Sequence, residues 1–159
     1  FDFAEMAQRS LGPHWQARTF RERSDFVKVF SGLLADAYLD QIEFYAGDRF
    51  AYLRESRDGE FAEVDTKVMG VKGDELAINY KLRARSGDWK VYDLVIENVS
   101  VVHNYRSQFN RVLSGASFGD LLKKLRETRT HQLQAKNTRP DSTVLSYLLL
   151  AQAAPNRPR

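Results

Sequence analysis

Trp89-Lys-Val-Tyr-Asp-Leu-Val-Ile-Glu-Asn-Val-Ser-Val-Val-His-Asn-Tyr-Arg-Ser-Gln-Phe109 starts with the period of a strand and ends with that of a helix. Tyr92, Leu94 and Ile96 alternate onto one face, and Val91 and Val95 are apolar on the other, which predicts a strand inside a sheet. Glu97-Asn98 form a polar joint. Beyond it Val101, Val102, Tyr105, Phe109, Val112 and Leu113 recur at helical spacing, so a helix is expected over 99–113.

Three more strands precede this one. Residues 49–55, 61–68 and 76–83 are bounded by Arg57-Asp58-Gly59, Lys72-Gly73-Asp74 and Ser86-Gly87-Asp88. Ala62, Val64, Thr66 and Val68 alternate with Phe61, Glu63, Asp65 and Lys67, and Leu76, Ile78, Tyr80 and Leu82 with Ala77, Asn79, Lys81 and Arg83. Short Gly-Asp turns between alternating strands predict an antiparallel meander with one apolar face to cover. Helices supply the cover. Residues 2–11 read as a short helix stopped by Gly12-Pro13. Thr19 with Glu22 forms a capping box, opening a longer helix through Phe26, Phe30, Leu33, Leu34, Ala37, Tyr38, Ile42 and Tyr45 to a stop at Gly47. Ser117 caps another that runs to about Lys136. Residues 137–143, with Pro140, break it, and 144–153 is apolar almost all round, as in a buried helix. The fold class is α+β, a four-stranded antiparallel meander curled against several helices.

Composition narrows the function. The 159 residues suit one domain with room for a cavity beside its core. There is no cysteine, which excludes disulfides, zinc-thiolate sites and thiol nucleophiles. No apolar run reaches the length that spans a bilayer. Residues 1–120 carry 16 Lys/Arg against 19 Asp/Glu, a balance of −3, whereas 121–159 carry 8 against 2, a balance of +6. That basic end suits either a solvated helix face or an anionic partner.

A search for chemistry finds little. His14, His103 and His131 lack metal-ligand spacing, and no nucleophile elbow, phosphate loop or dinucleotide fingerprint occurs. Asp93 and His103 are the one candidate acid–base pair, in a cone-shaped α+β enzyme; the alternative is an Asp93 that faces solvent or caps a neighbouring backbone and an exposed His103. Asp65 and Asp93 are a weaker carboxylate pair. The basic run Lys123, Lys124, Arg126, Arg129, Lys136 and Arg139 contains no aromatic residue for base stacking, which argues against nucleic acid.

Several ordered motifs bear on identity. Asp2-Phe3 with Leu11-Gly12 and Trp15, then Thr19 through Phe26 to Phe30, open the chain. Tyr80-Lys81-Leu82, Trp89 to Asp93, Glu97, Val99-Ser100 and Asn104-Tyr105-Arg106-Ser107-Gln108-Phe109 follow. Over about residues 2–128 the chain resembles the MlaC (toluene-tolerance) family of periplasmic lipid-binding proteins. Asn98 stands where the family pattern has glycine, and asparagine tolerates the left-handed conformation better than most residues.

The resemblance implies a lipid-binding domain over 1–136, with a family helix expected upstream, and an extension over 137–159. It implies a periplasmic carrier whose signal peptide has been removed, holding phospholipid acyl chains, or a hopanoid in a related branch. It needs no cofactor, metal or catalytic residue. The implied partners are an outer-membrane lipoprotein complex and an inner-membrane ABC transporter with an MCE-domain ring. The expected pocket wall is Phe26, Phe30, Leu33, Leu34, Tyr38, Val64, Leu76, Ile78, Tyr80, Tyr92, Leu94, Ile96, Val102, Tyr105 and Phe109, with Arg106 near the headgroup or in a salt bridge at the mouth. The 144–153 segment packs on its own domain, binds a neighbour or enters the pocket.

Overall fold

The computed structural model describes residues 1–39, 50–69 and 75–138. The expected end of the long helix at Gly47, the turn at Lys72-Gly73-Asp74 and the apolar helix 144–153 lie outside the described residues. Helix α1 (Phe3–Leu11) is capped by Asp2, whose carboxylate accepts the Glu5 N–H at 3.0 Å. A short 3-10 turn over Gly12–Trp15 follows. Helix α2 (Phe20–Leu34) starts at the expected capping box, with both Thr19 and Glu22 bonds formed. Its continuation is not regular. Residues Ala35–Leu39 widen into a π-helical turn, and Asp36 there accepts a 2.5 Å bond from Arg129.

The sheet holds five strands, in the order β1 to β5. They are β1 (Phe50–Asp58), β2 (Phe61–Met69), β3 (Glu75–Arg85), β4 (Asp88–Ile96) and β5 (Val99–Ser100), and all pairs are antiparallel. The expected meander is therefore present, with one strand more than its alternation revealed. Glu97 and Asn98 have φ of +47° and +64°. Two successive left-handed residues make the tight reversal of a two-residue hairpin, so Val99-Ser100 folds back onto Val95-Ile96. The Glu97 carboxylate holds this turn against β3 by accepting the Ala77 N–H at 2.7 Å. The helix expected from Val99 thus begins two residues later, as α3 (Val101–Leu113), capped by Ser100.

Helix α4 (Phe118–Thr138) begins as expected at Ser117. Ser117 and Asp120 cap reciprocally: the Ser117 hydroxyl accepts the Asp120 N–H at 3.1 Å, and Asp120 accepts the Ser117 N–H at 3.0 Å. Helix α1 packs on α3 and α2 on α4. The cross-strand register puts Val68, Leu76, Ile78, Tyr80, Leu94 and Ile96 on one face of the sheet, and this face joins the helices in a single core cluster.

One facial assignment is overturned. The β3–β4 register shifts between Lys81 and Leu82, pairing them with Asp93 and Val91 and leaving Tyr92 as the extra residue of a bulge. Val91 therefore lies on the inner face beside Leu82. Tyr92 lies on the outer face, where its ring meets Phe61 edge-on at 6.1 Å and carries the Arg9 guanidinium at 4.3 Å.

Candidate functional site

The helical side of the site is an aromatic stack. Helical spacing places Phe26 and Phe30 on one stripe of α2, and Tyr105 and Phe109 on one stripe of α3. Phe30 lies 5.0 Å from Tyr105 and 5.4 Å from Phe109, both in edge contacts, and stacks on Phe26 at 5.5 Å. Phe118 of α4 closes the group at 6.1 Å from Phe26.

Opposite this stack lies the inner sheet face, and its burial is graded. Ile78, Leu94 and Ile96 are fully buried. Val64, Tyr80, Leu82 and Val91 are half-buried, while Tyr52, Arg57 and Trp89 at the far side are exposed. The inner face thus passes from fully buried to exposed, with Glu55 and Arg57 of β1 at its exposed side. Arg57 lies over the Trp89 ring at 4.7 Å.

Most of the residues expected to line a pocket come together in this one cluster. Phe26, Phe30, Leu33, Leu34, Tyr38, Ile78, Leu94, Ile96, Val102, Tyr105 and Phe109 are buried members, and Leu76 and Tyr80 pack against them half-buried. Val64 shares the inner face through its pairing with Tyr80. Tyr92 is on the other face. Arg106 is exposed on α3, and its guanidinium lies across Gly12, where a Cβ would stand 2.6 Å from Nε. Sequence reasoning missed Val91, hidden by the bulge, and the contributions of Met6, Ala7 and Leu11 from α1 and of Leu121, Leu122 and Leu125 from α4. The α4 leucines were legible as an apolar stripe; α1 carries too short a pattern to assign to this core.

The only hydroxyl pair buried in the aromatic stack is Tyr38 and Tyr105, among the described residues, and the two are hydrogen-bonded to each other. Burial pushes Tyr38 up to about 12 and Tyr105 well above the ordinary tyrosine value. Raised values mean that the folded state holds these protons more tightly than the unfolded chain does. Their contribution is complete below pH 10 and is lost as pH climbs through about 12. We expect alkaline unfolding in that window, with Tyr38 alone accounting for about 3 kcal/mol. Circular dichroism and tyrosinate absorbance, recorded together, check this: ionisation of the pair and unfolding should coincide.

The candidate acid–base pair does not assemble. Asp93 is buried, and its oxygens accept the Ser100 hydroxyl at 2.6 Å and the Val102 N–H at 3.0 Å. His103 is exposed and gives its backbone N–H to Ser100. Asp93 fastens the start of α3 to β4. Asp65 is bonded to Arg54 and Asn79 on the outer face. Among the described residues no group of three His, Asp or Glu side chains is arranged to hold a metal ion, and no helix is long and apolar enough to cross a membrane.

Known proteins resemble this chain in fold and in sequence. A solved structure of a phospholipid-binding protein from Ralstonia solanacearum, in complex with a phospholipid, superposes with a TM-score of 0.72 and 25% identity over 83% of this chain and 75% of that one. The intermembrane phospholipid transport system binding protein MlaC of Haemophilus influenzae is 22% identical over 128 residues, covering 77% of this chain. The chain spans about 60% of that relative's length. With the MlaC protein profile matching residues 1–127, across the sheet, the aromatic stack and the first turns of α4, the chain belongs to the MlaC family.

Proposed function

We propose that this chain is a phospholipid carrier that takes acyl chains between the aromatic stack and the inner sheet face. The observation that carries the reading is the graded burial of the apolar inner face, from fully buried Ile78 and Leu94 to half-buried Tyr80, Leu82 and Val91. A carrier needs such a wall, open to solvent at one side, for a chain to enter. The names of the two relatives support the same ligand class.

The energetics suit carriage without chemistry. Holding a lipid of roughly 30 methylenes bare in water costs on the order of 24 kcal/mol at about 0.8 kcal/mol per methylene. The protein must therefore replace the bilayer almost completely with its own wall, and it needs only to match donor and acceptor affinities. Direction comes from ATP hydrolysis in a partner. We place the carrier in the periplasm, working between an outer-membrane lipoprotein complex and an inner-membrane ABC transporter with an MCE-domain ring. The lipid-binding unit spans 1–136, with 137–159 an extension. The entrance residues are Val64, Tyr80 and Leu82; the fully buried Phe26, Phe30, Leu33, Leu34 and Ile78 support the deep end.

Native mass spectrometry of protein purified from a Gram-negative host, followed by lipid extraction, tests the reading. One phospholipid per chain supports it, a hopanoid changes the cargo, and a protein that stays empty after incubation with phospholipid vesicles overturns it. Val64→Trp or Leu82→Trp should lower lipid occupancy at least roughly tenfold, because excluding two methylenes forfeits about 1.6 kcal/mol. Both positions are half-buried, so the far-UV circular dichroism should stay that of the parent.

A further inference from the structure

Strand β1 is exposed from Ala51 to Asp58 and ends the sheet. Among the described residues nothing pairs with its outer backbone edge, so a row of N–H and C=O groups faces outward. It is held to the sheet by its ladder with β2, from Phe50 opposite Val68 to Asp58 opposite Phe61. Its side chains carry a pattern of their own. Arg54-Glu55-Ser56-Arg57-Asp58 reads as plus, minus, neutral, plus, minus.

Reversed about Ser56, that pattern is its own complement. In an antiparallel pairing of two copies centred on Ser56, Arg54 faces Asp58 of the second copy and Glu55 faces Arg57, each pair occurring twice. The faces also agree. Cross-strand partners put Glu55 and Arg57 on the inner side with Val64 and Ala62, and Arg54 and Asp58 on the outer side with Asp65 and Phe61. A two-fold axis normal to the sheet keeps each side on its own side, so all four pairs bring opposite charges together. Shifting the register by two residues either way puts Glu55 against Glu55 or Arg57 against Arg57, and parallel pairing sets every charge against its like. The Glu55 and Asp58 side chains have no partner among the described residues, Arg57 has only the Trp89 ring, and Arg54, which reaches Asp65 at 3.1 Å, is shared with Asp58 of the second copy. We propose that β1 is a homodimerisation edge that joins two copies into one continuous sheet, in the single register centred on Ser56. The charges that guard such an edge against general pairing select this one partner.

Charge swapping tests the proposal independently of any lipid. By analytical ultracentrifugation at low salt the wild type should reach dimer, with the association weakening as salt screens the pairs. Glu55→Lys alone and Arg57→Glu alone should each bind themselves at least roughly tenfold more weakly, since like charges then face one another twice. An equimolar mixture of the two variants should dimerise again, because lysine then meets glutamate and Arg57 meets Glu55. Restoration by mixing also proves that both variants are folded. Ser56→Cys should cross-link to its own copy under mild oxidation, whereas Asp58→Cys, opposite Arg54, should not. The chain has no other cysteine to confuse the readout, and residues opposed in an antiparallel pair lie within disulfide reach. A wild type still monomeric at about 1 mM, the weak end for a contact of this size, would overturn the proposal. So would single variants that dimerise like wild type, or a mixture that stays monomeric.

Discussion

Phe30→Ala lowers the unfolding free energy by about 3–5 kcal/mol, among the largest single effects expected in this protein. Phe30 is 0% exposed and touches three other rings, Phe26, Tyr105 and Phe109. Its loss removes the apolar burial of a large side chain, two edge contacts and a stacked contact. The rings around it are held on two separate helices, so the gap does not close by moving one residue. Urea titration measures the effect as a lower midpoint at unchanged slope. Phe20→Ala serves as the control. That ring is 88% exposed, so its removal should change stability by no more than about 0.5 kcal/mol. A Phe30→Ala variant within 1 kcal/mol of wild type would mean that the aromatic stack is not packed as described.

Gly12→Ala should lose about 2–3 kcal/mol, from two separable causes. The residue has φ of +57° with ψ of −129°, a combination that suits glycine and strains any side chain. Its missing Cβ also leaves the passage through which the Arg106 guanidinium crosses from α3, at 2.6 Å from where a Cβ would be. Gly59 supplies the comparison: φ is again +57°, but nothing lies within 4 Å. Gly59→Ala should therefore cost only about 1 kcal/mol of backbone strain. Combining Gly12→Ala with Arg106→Ala should recover the part due to contact and leave the part due to φ. Equal losses at Gly12 and Gly59 would show that Arg106 yields freely.

Much of this architecture was legible locally. Thr19 with Glu22, Ser117 and Gly12 are signals read from their own turn of chain, and each marks the helix end expected of it. Alternation in β2 and β3 likewise identified the inner face, because nothing interrupts the period in those strands. What stayed hidden depends on partners distant in sequence. The bulge at Tyr92 is a mismatch between two strands, so β4 read alone gives a continuous alternation and the wrong face for Tyr92. Strand β5 is two residues long and carries no period; only the left-handed pair Glu97-Asn98 produces it. The residues of the stack were identifiable as apolar stripes, but the gradient from sealed to open on the inner face depends on where each helix ends over the sheet. Arg106 was placed by its motif, whereas its course over Gly12 follows from how α1 and α3 cross.

The fastening of α3 to β4 through Asp93 bears on how the molecule opens in time. First-turn amides of a helix ordinarily exchange their hydrogens with solvent fast, because they lack carbonyl partners within the helix. Here the Val102 N–H is spent on a buried carboxylate and the His103 N–H on the Ser100 hydroxyl. Releasing the Val102 N–H requires β4 and the first turn of α3 to come apart together. The junction that sequence marks as a change of period is thus a single cooperative unit, and deuterium should reach Val102 no sooner than it reaches the middle of β4.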